Sequence, residues 1–148
     1  MGQIEATKQL SVPPDALWAT VADPSTWDQW FTIHEKWLQE PPATLTEGAT
    51  LVAKIVMLGM ANKLEWTVER VVAEPGAPRR LMMSGTGMAG VKCQFEFSIT
   101  ASGDGSEFSV AGTFEGALVK GALAKAVEKD GAKQLDKTLA QLEAMAAA

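Results

Sequence analysis

One stretch of this chain alternates apolar and polar residues without a break: Val91, Cys93, Phe95, Phe97 and Ile99 interleave with Lys92, Gln94, Glu96 and Ser98. A period of two puts successive side chains on opposite faces of a sheet, so the run predicts a strand with one buried face. SGDGS then leads into EFSVAGTFEG, with Phe108, Val110 and Phe114 in the inward phase. Asp-Gly between two alternating runs predicts a hairpin. RRLMMSGTG precedes the first run across a glycine-rich turn. Further upstream, TLVAKIVMLG and NKLEWTVERVVAEP predict another hairpin about Gly59-Met60. Its second arm points Leu64, Trp66, Val68, Arg70 and Val72 inward and Lys63, Glu65, Thr67 and Glu69 toward water. QIEATKQLSV predicts a first strand with Ile4, Ala6 and Leu10 on one face and Lys8 in the same phase.

Between these strands the pattern turns helical twice. Pro14 suits a first helical turn, and Asp15 to Ala22 follows with Leu17, Trp18 and Val21 on an apolar side. Asp23-Pro24 restarts a second short helix, to about Phe31, on which Trp27, Trp30 and Phe31 share one face at i, i+3 and i+4. From Ile33 the period returns to two, with Ile33, Glu35 and Trp37 on one side and His34, Lys36 and Leu38 on the other. From Ala117 to the end the period is helical, with Leu123, Val127, Leu135, Leu139 and Leu142 in one stripe. Gly131 interrupts that stripe at a cost of about 0.5–1 kcal/mol, which points to a packing or space requirement. Lys125, Lys129, Lys133 and Lys137 form its solvated side.

The order is strand, two short helices, six strands and one long helix. It predicts an α+β fold in one domain spanning residues 1–148: a curved antiparallel sheet of about seven strands around the C-terminal helix. Such a sheet does not lie flat on a helix across its whole width, so a cavity is expected between them.

Composition narrows the function. The chain is 47% apolar and 21% charged, as in globular domains. A net charge of −5 argues against phosphate-backbone binding, so nucleic acid is not an expected partner. No apolar stretch approaches the roughly 20 residues of a membrane span, and the start lacks the blocks of a secretory signal. A cytoplasmic location is expected. With one cysteine, Cys93, and one histidine, His34, neither a disulfide nor a zinc site is expected, and no cofactor.

Residues 85–90, GTGMAG, fit the dinucleotide pattern G-x-G-x-x-G, but a strand follows where that motif requires a helix, so a hairpin is predicted. Residues 27–37, WDQWFTIHEKW, hold three of the five tryptophans and the only histidine; their aromatic face closes the core or lines a pocket mouth. His34 has the chemistry of a general base, yet no second histidine or nucleophile motif accompanies it, and it reads first as a hydrogen-bonded residue near the surface. Cys93 reads as a small hydrophobe. Arg70 and Lys8 conflict with their inward phases, since a buried unpaired cation costs several kcal/mol; each needs a partner, a ligand or a route to water.

The run VPPDALWATVADPSTWDQW resembles the entry signature of the START-like, or SRPBCC, superfamily, the helix-grip fold of polyketide cyclase/dehydrase-like and lipid-transfer proteins. The order of elements is similar over the whole chain. WFTIHEKW, GMANKLEWTV and GTGMAGVK resemble a narrower, mycobacterial-type group known as the toxin of a type II toxin–antitoxin pair. The resemblance implies a small hydrophobic ligand held between sheet and C-terminal helix, and an antitoxin as protein partner. The candidate ligand-binding residues are Trp27, Trp30, Phe31, His34, Trp66, Arg70, Phe95, Phe97, Phe108, Val127 and Gly131. It brings no catalytic motif. Two alternatives stand beside it: a cyclase or dehydratase in which His34 or Arg70 polarises a carbonyl, and an interaction protein with a filled core.

Overall fold

The alternating runs become the strands β1 (Gly2–Leu10), β2 (His34–Trp37), β3 (Thr50–Met57), β4 (Met60–Val72), β5 (Arg79–Gly87), β6 (Lys92–Ser102) and β7 (Gly105–Glu115). Between β1 and β2 lie α1 (Pro14–Val21), a 3-10 turn (Pro24–Thr26) and α2 (Trp27–Trp30); α3 (Gly121–Ala147) closes the order. The structure, a computed structural model, describes residues 2–57, 59–74, 77–87, 90–116 and 121–147, without the side chain of Leu123. The strands form one seven-stranded antiparallel sheet in the order β1-β7-β6-β5-β4-β3-β2. It curls around α3 in a helix-grip arrangement.

Local chemistry explains the turns. The Asp23 carboxylate accepts from the Ser25 backbone N–H at 3.1 Å and its hydroxyl at 2.7 Å, which restarts the chain as a helix. Phe31 is already extended, so the second helix is one 3-10 turn and one α-turn long. The glycine-rich span turns β5 into β6: Thr86 pairs with Lys92, and the Gly87 N–H donates to the Val91 carbonyl at 2.7 Å. Gly90, at φ +75°, takes a left-handed conformation there, and Met88 and Ala89 lie outside the described residues.

Two β-bulges overturn the simple alternation. In β2, His34 opposes Ile55 and Lys36 opposes Lys54, so Glu35 is one residue too many. His34 and Trp37 therefore share the inner face instead of lying on opposite sides. In β4, Val68 opposes Met83 and Arg70 opposes Met82, with Glu69 inserted. The inward phase passes to Val71, opposite buried Leu81, while Arg70 is exposed. The inward phase of Arg70 and Val72 read from the sequence is thus corrected by one residue. Lys8 keeps its phase, and on the edge strand β1 its side chain is exposed.

α3 runs beside β1 and is fixed to it at both ends. The Gln3 N–H donates to Glu128 at 3.0 Å and the Ser11 N–H donates to Glu143 at 2.9 Å, so two donors of the open sheet edge are satisfied by the helix. Thr138, fully buried on α3, accepts from the Thr32 N–H at 3.1 Å, and the Thr32 hydroxyl donates to the Gln134 carbonyl at 2.8 Å. These bonds tie the chain entering β2 to the same helix.

Candidate functional site

The aromatic face of α2 fills the middle of the fold. Trp27 and Trp30 meet the Phe97 ring edge-on at 6.0 and 5.9 Å, and Phe31 meets Phe95 and Phe97 at 5.6 and 5.5 Å. With Phe108, which lies 6.3 Å from Phe97, these side chains are at most 1% exposed. Their polar handles are satisfied as well. Trp27 Nε1 donates to the Val21 carbonyl at 2.9 Å, Trp30 Nε1 to the Thr26 hydroxyl at 2.9 Å, and Trp37 Nε1 to the Pro24 carbonyl at 2.7 Å. Here the rings pack on one another.

Toward the start of α3 the inner wall differs. Leu51, Trp66, Gly85, Cys93 and Phe114 stand opposite one another across β3, β4, β5, β6 and β7. Along the row exposure is 3% at Leu51, 1% at Trp66, 5% at Cys93 and 4% at Phe114. The Trp66 ring meets Phe95 at 5.7 Å, but its buried indole N–H has no acceptor among the described residues. A buried donor left this way costs about 1–3 kcal/mol.

His34 is the second unsatisfied group. It is 4% exposed, packed 4.4 Å from the Trp37 ring and 6.1 Å from Trp27, and neither ring nitrogen has a partner among the described residues. This replaces the sequence-based expectation of a hydrogen-bonded histidine near the surface; the bulge at Glu35 turned it inward. Burial pushes its pKa down to about 4, against the opposing pull of the Asp28 carboxylate, so the ring is neutral at pH 7. Burial likewise raises the Cys93 thiol to about 12, with the Gly85 backbone acting weakly the other way. The thiol stays protonated and unreactive at neutral pH.

The remaining candidates lie elsewhere. Arg70 faces solvent. Gly131 is buried under Ile4: a Cβ there would stand 2.6 Å from Ile4 Cγ2, so the glycine lets α3 approach β1 and the space is already filled. Val127 lies one turn earlier on α3 and is 7% exposed. Sequence reasoning missed Arg79, a 6% exposed cation at the start of β5. Its guanidinium donates to Asp15 on α1 at 2.6 Å and lines a surface cleft of about 320 Å³ with Pro14 and Pro78. The signal was available, since Arg79 shares the inward phase of Leu81 and Met83. Among the described residues no group of three or more His, Cys, Asp or Glu side chains is placed to hold a metal ion, and no helix is long and apolar enough to cross a membrane.

Comparison with known proteins adds a family. A model described as polyketide cyclase / dehydrase and lipid transport matches residues 1–146. Toxin Rv0910 of Mycobacterium tuberculosis is 27% identical over 109 residues, 74% of this chain and 73% of that protein. The uncharacterized protein Rv1546 of the same organism is 27% identical over 141 residues, 95% of this chain and 96% of that one. Among solved structures, a START superfamily protein from Mycobacterium smegmatis superposes with a TM-score of 0.74 at 18% identity, covering 98% of this chain and 99% of that one. That likeness is one of fold.

Proposed function

We propose, since this chain belongs to the polyketide cyclase / dehydrase and lipid transport family, that it is a cytoplasmic, single-domain protein binding a small hydrophobic ligand that carries a hydrogen-bond acceptor. The ligand lies between the Trp66 row of the sheet and the Ala124–Val127 turn of α3. The observation that carries this reading is the Trp66 indole N–H, buried without an acceptor among the described residues. An acceptor brought in by a ligand ends that deficit, and apolar surface leaving water adds about 25 cal/mol per Å². Trp66 Nε1 is sealed from solvent in this packing, so entry requires the wall around it to open. An antitoxin is the proposed protein partner, supported by the name of the relative Rv0910.

The filled aromatic middle favours a second reading, an interaction protein with no ligand. The enzyme alternative had His34 or Arg70 polarise a carbonyl; Arg70 points to solvent, and burial leaves His34 too weakly basic for a general base while its N–H can still donate. Calorimetric titration with 2-acetonaphthone and with 2-ethylnaphthalene, which lacks the carbonyl, separates the two readings. Wild type is expected to prefer the ketone by about tenfold, the equivalent of one hydrogen bond, and Trp66→Phe to erase that preference. Binding of neither compound supports the interaction protein; equal binding of both removes Trp66 from the site.

A further inference from the structure

We infer that His34 is a second polar anchor on the same inner wall, so that the ligand is an elongated, uncharged molecule with a hydrogen-bonding group at each end. This rests on the ligand-binding reading above. Two side chains on the inner wall hold buried polar atoms without partners among the described residues: His34 on β2 and Trp66 on β4. These strands flank β3 on either side, where His34 stands opposite Ile55 and Trp66 opposite Leu51. Strand geometry separates the two backbones by roughly 16 Å, four residues along and two strands across. The inner-face residue of β3 between them is Ala53, fully buried and the smallest in a phase otherwise made of Leu51, Ile55 and Met57. Its partner on β2 is Trp37, whose ring packs on His34, so a molecule lying across the strand takes the place of that ring.

The chemistry of the two poles differs. Trp66 only donates, so the ligand group beside it must accept. A neutral imidazole has one N–H and one lone pair, so a hydroxyl can serve it whichever nitrogen it meets. Among the described residues no cation answers a carboxylate at either end: Arg70 is turned to solvent and Arg79 is paired with Asp15 beside α1. The pattern therefore selects against fatty acids and for neutral molecules with two oxygens, at least one a hydroxyl.

The test uses 4,4′-biphenol, a rigid rod with a hydroxyl at each end, and 4-phenylphenol, which has one. Calorimetry on the full chain should show the biphenol binding about tenfold tighter, and His34→Phe should abolish that advantage while leaving 4-phenylphenol unchanged. A measurement on wild type alone avoids dependence on the variant's folding. His34 is the only histidine, so its two ring ¹⁵N signals are assigned without ambiguity; they should move with the biphenol and stay with 4-phenylphenol. If 4-phenylphenol binds but the biphenol gains nothing and the imidazole signals do not move, the second anchor is overturned and the Trp66 site survives. If wild type binds neither compound, the ligand-binding reading fails and the anchor with it.

Discussion

Trp27, Trp30 and Trp37 around α2 each donate their indole N–H to an acceptor within 2.9 Å, whereas Trp66 on β4, 1% exposed, donates to none among the described residues. Exposure does not separate them: Trp27 and Trp30 are fully buried, Trp37 is half-buried, and Trp66 is as buried as the first two. The indoles around α2 are thus satisfied, while Trp66 and, at the edge of that cluster, His34 have no partner among the described residues. Aromatic clustering alone does not mark a ligand site, because the three tryptophans of the densest cluster have satisfied indole N–H groups. The informative feature is a polar atom that folding could have satisfied and did not.

The difference can be broken from the finished side first. Trp27→Ala removes the ring that touches Trp30, Phe31, His34, Trp37 and Phe97, and should cost about 3–5 kcal/mol in urea unfolding. Trp66→Phe should cost clearly less, since loss of an unsatisfied donor offsets part of the lost packing.

Acid should find the other incomplete group. The unfolded His34 takes up a proton near pH 6.5 and the folded one only near 4, so the unfolded state binds more protons between those values. Stability should therefore fall as pH drops from 6.5 to 4, by on the order of 3 kcal/mol in total. His34→Phe should flatten that stretch of the curve while leaving the carboxylate-dependent loss at lower pH.

Gly131 tests the seam between the two regions. Gly131→Ala gains about 1 kcal/mol of helix propensity, yet its Cβ falls 2.6 Å from Ile4 Cγ2. Overpacking should dominate, lowering stability by about 1–3 kcal/mol before that gain is counted. Adding Ile4→Ala should recover part of the loss, and a double-mutant cycle measures the coupling.

Much of this was readable in the sequence. The hairpins, the long helix and the shared face of Trp27, Trp30 and Phe31 follow from periodicity and turn chemistry, which are local. The bulges at Glu35 and Glu69 were hidden because each leaves an apolar residue in either phase: Trp37 or Leu38 after the first, Val71 or Val72 after the second. An extra residue shows only in the partner strand's register. Gly131 announced itself as a gap in the stripe, but its filler, Ile4, comes from the other end of the chain. The state of Trp66 was hidden for the same reason, since the absence of an acceptor is a property of the assembled wall.

The ¹H–¹⁵N spectrum of the indole region tests that last point directly, with five tryptophans giving five signals. Trp66 is assigned by its loss in Trp66→Phe. Without ligand, its proton should resonate upfield of the hydrogen-bonded Trp27, Trp30 and Trp37, and exchange slowly with water. On adding 2-acetonaphthone it should move downfield while those three stay in place. A Trp66 signal already among the bonded three, or one that holds still while the Trp27 group shifts, would place the ligand elsewhere and contradict the assignment of this wall.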